Sequence, residues 1–188
     1  MTNRMLVAGV GNIFLGDDGF GVEVARRLAA EDLPEWVTVA DYGISGLHLA
    51  YDLASGYETT ILIDATSRGD DPGTVYVIEL DHGRLFAAAA DPSARSRLLD
   101  AHGMQPDVVF GVLDMLGAEA GRVLLVGCEP ASVDDGIGLS PPVSAAVAEA
   151  VRVVRDLIAE AGSGSGSESG TGREHSAGGQ HTVSDGSR

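Results

Sequence analysis

Five short apolar runs alternate along the chain with stretches in which apolar residues recur at helical spacing. The runs are rich in β-branched residues and predict strands at residues 5–11, 37–43, 59–66, 74–80 and 122–129. Three of them are almost continuously apolar, which is typical of strands covered by other elements on both faces. The alternation therefore predicts a sheet buried between layers of helices.

Four stretches between and after these runs have helical periodicity. They predict helices at residues 19–32, 46–56 and 105–119, and a last helix that begins near Ser140, where Ser-Pro is typical of a helix start. The last helix carries one apolar stripe, formed by Val143, Val147, Val151, Val154 and Ile158. Strands that alternate with helices pair in parallel through right-handed crossovers. We therefore predict a three-layer α/β/α fold with a mostly parallel central sheet of about five strands.

The composition separates a folded body from a tail. The chain has 188 residues, of which 44% are hydrophobic, which suits one globular domain. Residues 162–188 are rich in Gly and Ser and contain one Val as the only large apolar residue. Such a segment cannot bury enough surface to offset its loss of conformational entropy. We predict a single domain at residues 1–161 and a disordered tail at residues 162–188.

The net charge of the chain argues against two classes of binding partner. The formal net charge is −16, and nucleic acid or an anionic membrane would need clustered positive charge, so neither is expected as a partner. The N-terminal apolar run is too short for a signal peptide or a membrane span, so we expect a cytoplasmic protein. The one cysteine, Cys128, cannot form an intrachain disulfide, and its place after an apolar run favours a buried, inert thiol. We expect a monomer.

In sheets of this kind, functional residues gather in loops beyond the carboxyl ends of the strands. The loop at residues 11–19 follows a strand and precedes a helix, but a dinucleotide-binding GxGxxG motif fails because position 14 is Phe. Asp17 and Asp18 would repel a phosphate there and attract a cation. Capping of the following helix is the favoured role for Asp17, which leaves Asp18 available. Asp64, directly after a buried strand, could cap a loop or bind a ligand.

His102 is the histidine of most interest near these carboxylates, although a lone histidine in a loop is more often structural or exposed than a ligand. It lies in DAHGMQP, in a long connection that reaches the same edge of the sheet, whereas His48 and His82 are expected to be structural or exposed. Asp18, Asp64 and His102 could together form a site of two carboxylates and one imidazole. The sequence contains no HExxH zinc-protease motif, no complete nucleophile elbow and no phosphate-binding P-loop.

Together these segments resemble the hydrogenase maturation endopeptidases, which trim the large-subunit precursor of nickel–iron hydrogenases. The resemblance spans about residues 5–158 and keeps its order along the chain. It rests on VAGVGNIFLGDDGFGVEVARRL, DYGISGLHL, ILIDAT, PGTVYVIEL, DAHGMQPDVVFGVLDMLG and LLVGCEPASVDDGIGLSPPV. The first and last segments are specific, and the colinear set is more specific than either.

The resemblance implies a metal-dependent endopeptidase. Asp18, Asp64 and His102 match the family's metal-binding positions and are assigned to both the metal and the reaction. The metal would be nickel carried by the substrate, the hydrogenase large-subunit precursor, and no organic cofactor is implied. Nickel would license removal of a C-terminal peptide after a basic residue.

Four further residues are assigned to the substrate cleft, and they are Asn12, Asp17, Asp41 and Gly43. Many relatives have Asp-x-Gly-Thr in the loop after the second strand, whereas this chain has Ile44 at the fourth position. The hydroxyl is lost, which bears on the substrate subgroup more than on the activity. Two alternatives remain: a nickel-checking binding protein of the same fold that does not cleave, and a nucleotide- or nucleoside-acting α/β enzyme.

Overall fold

A computed structural model describes residues 4–80 and 121–164. Its elements, in chain order, are β1 (Met5–Val10), a 3-10 turn (Gly16–Gly19), α1 (Phe20–Ala29), β2 (Val37–Gly43), α2 (Gly46–Leu53), β3 (Thr59–Ala65), β4 (Val75–Leu80), β5 (Arg122–Cys128) and α3 (Pro141–Gly164). Each strand and helix predicted within these ranges is present, with ends that differ by a few residues. The helix predicted at residues 105–119 lies outside the described residues.

The strands form one five-stranded sheet in the order β2-β1-β3-β5-β4. Strands β2, β1, β3 and β5 are parallel to one another, and β4 at the edge is antiparallel to β5. This arrangement confirms the prediction of a mostly parallel sheet. Because β1, β2, β3 and β5 point the same way, the loops that follow them lie at one edge of the sheet.

The sheet is covered on both faces, which confirms the three-layer architecture. Alternate residues of β1, β3 and β5 pack on one face against α1 and α3, and the intervening residues pack on the other face against α2. The three central strands are buried along nearly their whole length, as their apolar runs predict. None of the helices within residues 4–80 and 121–164 is long and apolar enough to cross a membrane.

The apolar stripe of the last helix also lies where the sequence predicts it. Val143, Val147, Val154 and Ile158 are buried against the sheet, and Val151 is half-buried beside them. The helix ends at Gly164, three residues beyond the predicted boundary of the domain at residue 161. The rest of the predicted tail, residues 165–188, lies outside the described residues.

Two glycines allow α1 to pack directly on the sheet. A methyl group on Gly21 would overlap the carbonyl oxygens of Ile63 and Val10, and one on Gly9 would overlap the carbonyl oxygen of Gly21. The close approach of helix and strand fixes the position of the turn that precedes α1. That turn carries Asp17 and Asp18 and so holds them over the ends of β1 and β3.

Candidate functional site

Asp64 occupies the carboxyl end of β3, next to Gly127 of β5 in the parallel register. It is 1% exposed, and its Oδ2 has no hydrogen-bond partner among the residues that the structure describes. Burial raises the pKa of Asp64 well above its usual value, and the negative charge of Asp18 adds a smaller increase. A hydrogen bond from the backbone N–H of Ala65 acts in the opposite direction. A buried carboxylate oxygen beside a second carboxylate is suited to receive a cation.

Asp18 faces this carboxylate from the turn before α1. It is 1% exposed, and its Oδ2 accepts a hydrogen bond of 2.6 Å from the backbone N–H of Asn12. The side chain of Asn12 shapes the same turn, because its Oδ1 accepts a bond of 3.0 Å from the N–H of Phe14. Asn12 therefore positions Asp18, and its predicted contact with substrate stays a prediction.

Asp17 does not cap α1, and that prediction was wrong. The residue before α1 is Gly19, and no side chain caps the helix there. The Oδ2 of Asp17 accepts bonds from the N–H groups of Ala131 and Ser132 and from the hydroxyl of Ser140, at 2.8, 3.1 and 2.9 Å. Its Oδ1 accepts a bond of 2.6 Å from the N–H of Ser140. Asp17 thus fastens the loop after β5 to the turn that carries Asp18, and its place in the substrate cleft stays a prediction.

Asp41 and Gly43 form a tight turn at the end of β2. Asp41 accepts a bond of 3.0 Å from the N–H of Gly43 and pairs with Arg26 at 3.3 Å. The register between β1 and β2 shifts here, and Gly43 has a φ of 50°, which favours glycine. Its carbonyl oxygen accepts a bond of 2.9 Å from the N–H of Gly11. The turn therefore lies against the loop that holds Asp18.

Glu129 is a buried acidic residue at the same sheet edge that the sequence analysis does not identify. It is 4% exposed and accepts bonds from the hydroxyl of Ser67 at 2.9 Å and from the N–H groups of Arg68 and Gly69 at 2.6 and 3.3 Å. Burial raises the pKa of Glu129, but these donors outweigh it and lower the pKa below its usual value. Glu129 thereby fixes the loop that follows Asp64. Its position after an apolar strand, like that of Asp64, was the available signal.

The structure describes two of the three residues that were predicted to form the site. Asp18 and Asp64 are brought together, and His102 lies outside the described residues, as does His82. Within residues 4–80 and 121–164, no group of three or more His, Cys, Asp or Glu side chains is placed to hold a metal ion. The two carboxylates are hard oxygen ligands that would accept a divalent cation, and an imidazole would suit nickel as a third ligand.

Cys128 is buried, as its sequence context predicts. Burial, followed by the negative charges of Asp17, Glu129 and Glu149, raises the pKa of the thiol to about 12. The reactive thiolate is therefore scarce at neutral pH. Of the three histidines discussed above, the structure describes His48. It is exposed on α2, and its ring forms a hydrogen bond of 2.8 Å with the hydroxyl of Ser45. Neither residue takes part in the carboxylate site.

Comparison with known proteins agrees with this architecture. A sequence profile described as hydrogenase maturation protease (HycI) matches residues 22–157. The chain is 36% identical over 158 residues to the hydrogenase expression/formation protein HupD of Rhizobium leguminosarum bv. viciae, covering 81% of this chain and 74% of that protein. It is 29% identical over 160 residues to the hydrogenase 2 maturation protease of Escherichia coli strain K12, covering 85% and 93% respectively.

The fold comparison points the same way. The solved structure of the hydrogenase maturating endopeptidase HybD from E. coli matches with a TM-score of 0.68 and 30% identity, over 85% of this chain and 94% of that one. Fold and sequence together define the class of this protein as a protease with a three-layer α/β/α fold. The chain belongs to the hydrogenase maturation protease family.

Proposed function

We propose that this protein removes the C-terminal peptide of a nickel–iron hydrogenase large-subunit precursor after nickel has been inserted. Family membership supports the protease activity, and the maturation proteases named above support the class of substrate. The observation that carries the nickel step is the buried Oδ2 of Asp64, which lies beside the Asp18 carboxylate and has no hydrogen-bond partner within the described parts of the chain. Two neighbouring carboxylates attract a cation and repel an anionic ligand.

Nickel is in this proposal a part of the substrate. Asp18 and Asp64 contact it from the protease side, and His102 supplies the third contact. The N–H of Asn12 holds Asp18 in place, and Asp17 fixes the neighbouring loop. Recognition therefore relies on a prearranged site, so that precursor without nickel lacks the contact that draws it into the cleft.

In this proposal the substrate cleft lies between two segments of the chain. One is the loop after β1, which carries Asn12 and Asp17, and the other is the end of β2, which carries Asp41 and Gly43. The hydrogen bond between Gly11 and Gly43 that holds these segments together supports the assignment. Fixing the peptide beside the metal places its scissile carbonyl where a positive charge polarises it and favours attack by water. Hydrolysis breaks the C–N bond, and the water supplies the hydroxyl of the new carboxylate and a proton for the released amine. The protein acts as a cytoplasmic monomer and uses no organic cofactor.

The intact mass of the precursor tests this proposal. Purified protein is incubated with the nickel-loaded precursor and, in parallel, with the same precursor prepared without nickel. We expect loss of the C-terminal peptide only in the nickel-loaded sample. Binding of the nickel-loaded precursor without any loss of mass would favour the alternative of a non-cleaving, nickel-checking protein.

The choice of histidine has its own test. His102→Ala is expected to abolish processing while the fold survives, because the imidazole contact to nickel is lost. His82→Ala is the matched control and should process the precursor at nearly the wild-type rate. Equal damage from both substitutions in folded proteins would show that the wrong histidine was assigned.

A further inference from the structure

Two large apolar side chains project into solvent beside the carboxylate site. Phe14 is 62% exposed and Ile137 is 82% exposed. They come from different loops, one following β1 and the other following β5. Single exposed apolar residues are ordinary, but two of them on neighbouring loops at the edge of a functional site require an explanation.

The two loops are joined by backbone hydrogen bonds, which hold the segments that carry Phe14 and Ile137 beside each other. Leu15 pairs with Gly136 in an isolated parallel bridge. The N–H of Gly136 donates to the carbonyl of Phe14 at 2.8 Å, and the N–H of Gly16 donates to the carbonyl of Gly136 at 2.9 Å. Phe14 directly precedes the bridge residue of one segment, and Ile137 directly follows that of the other. Their exposure is thus built into a fixed piece of structure, which lowers the entropy cost of binding a partner there.

A partly apolar cavity adjoins Ile137. It has a volume of about 170 Å³, and Ile13, Val22, Ile137 and Leu139 supply its apolar lining. This space fits one side chain. Phe14, Ile137 and this cavity are called the apolar rim below. The rim is continuous with the site, because Gly16 and Gly19 line the same cavity and bracket Asp17 and Asp18 in the 3-10 turn.

The surroundings of the apolar rim are acidic. Asp134 and Asp135 are exposed just before Ile137. Glu23 and Arg26 both lie in the cavity wall, where Glu23 pairs with Arg27 at 3.1 Å and Arg26 pairs with Asp41 at 3.3 Å, so the acidic character comes from Asp134 and Asp135. The chain as a whole carries a net charge of −16. A partner that places an apolar side chain here is therefore favoured when positive charges flank that side chain.

We propose that the apolar rim is the docking surface for the large-subunit precursor, and that it takes an apolar side chain flanked by basic residues. This inference rests on the proposed function and adds to it a binding surface separate from the nickel contact. Docking at the rim positions the precursor so that its nickel faces Asp18 and Asp64. The rim then determines how tightly precursor binds, while the carboxylates determine whether it is cleaved.

Processing kinetics with nickel-loaded precursor test the proposal. Phe14→Ser and Ile137→Ser should each raise KM by about tenfold, as expected for loss of an apolar anchor, with kcat changed by less than about twofold. Val77→Thr is the matched control, because Val77 is also exposed, at 43%, but lies on β4 away from these loops. Its KM should equal that of the wild type. An unchanged KM in both rim variants, with folding confirmed by thermal denaturation, overturns the proposal.

The dependence of KM on salt concentration tests the role of the acidic residues around the apolar rim. Added NaCl should raise the wild-type KM, and Asp134→Asn with Asp135→Asn should weaken that dependence. Salt independence in the wild type refutes the basic character of the partner's docking segment. If wild-type protein cleaves nothing, the proposed function fails, and the affinity of immobilised protein for precursor still decides the docking proposal. A change from dimer to monomer in Phe14→Ser would instead assign the rim to a second copy of this chain.

Discussion

Asp18 and Asp64 are buried carboxylates that face each other across the ends of two elements, and this proximity has an energetic consequence. Burial and the charge of Asp18 raise the pKa of Asp64, so its ionised form is unfavourable in the folded protein. Both residues could be predicted from the sequence, because an acid at the end of an apolar strand or in a glycine-rich turn stands out locally. The role of Asp17 could not, since its partners Ala131, Ser132 and Ser140 lie more than a hundred positions away.

Substitution of Asp64 should separate stability from function. Asp64→Asn removes a buried ionisable group and should leave the melting temperature unchanged or higher, as thermal denaturation at neutral pH would measure. Asp32→Asn, at an exposed position, is the control and should have no effect. A fall of about 5 °C or more in Asp64→Asn, roughly 1 to 2 kcal/mol for a domain of this size, would mean that favourable partners hold the charge.

At the scale of elements, buried acids connect the strand ends. Asp17 joins the 3-10 turn to the loop after β5, and Glu129 joins the end of β5 to the loop after β3. The sequence predicts the positions of the described strands and helices because apolar periodicity is a local property. The antiparallel direction of β4 was not predicted, since an apolar run of this length looks the same in either direction.

Loss of the Asp17 carboxylate should loosen the site. Asp17→Ala leaves three backbone N–H groups without their acceptor and should lower the free energy of unfolding by about 3 kcal/mol. Urea denaturation measures this change, and Asp135→Ala, which alters an exposed side chain of the same loop, serves as the control. Equal stability of the two variants would contradict the fastening role of Asp17.

We expect the chain beyond the end of α3 to be dispensable for function. The apolar stripe that packs on the sheet extends to Ile158, and α3 ends at Gly164. Deletion of residues 165–188 should therefore leave both the melting temperature and precursor processing unchanged. A folded truncated protein that no longer processes precursor would show that the tail contributes to substrate binding.

At the scale of the whole molecule, a chain with a net charge of −16 folds around a site that contains two buried carboxylates. The family resemblance predicted the fold and the family because colinear motifs over most of the chain are more specific than any single loop. The docking role proposed for the apolar rim was not predicted, since the sequence does not show that the segments carrying Phe14 and Ile137 lie side by side. Their arrangement depends on the pairing of Leu15 with Gly136.

Ligand-induced stabilisation distinguishes the metal site from a nucleotide site. Ni²⁺ or Cd²⁺ should raise the melting temperature, because a ligand at one hundred times its Kd stabilises the folded state by about 2.7 kcal/mol. ATP at the same concentration should have no effect, and Asp18→Asn should abolish the response to the metal. Stabilisation by ATP but not by Ni²⁺ would support the nucleotide-acting alternative.

The most direct test of the central claim is the intact mass of the nickel-loaded precursor after incubation with wild-type protein or with folded Asp64→Asn. The substitution keeps the size of the side chain and removes its capacity to bind nickel as a carboxylate. The account predicts loss of the C-terminal peptide with the wild type and an unchanged mass with Asp64→Asn. Cleavage at the wild-type rate by Asp64→Asn would contradict it.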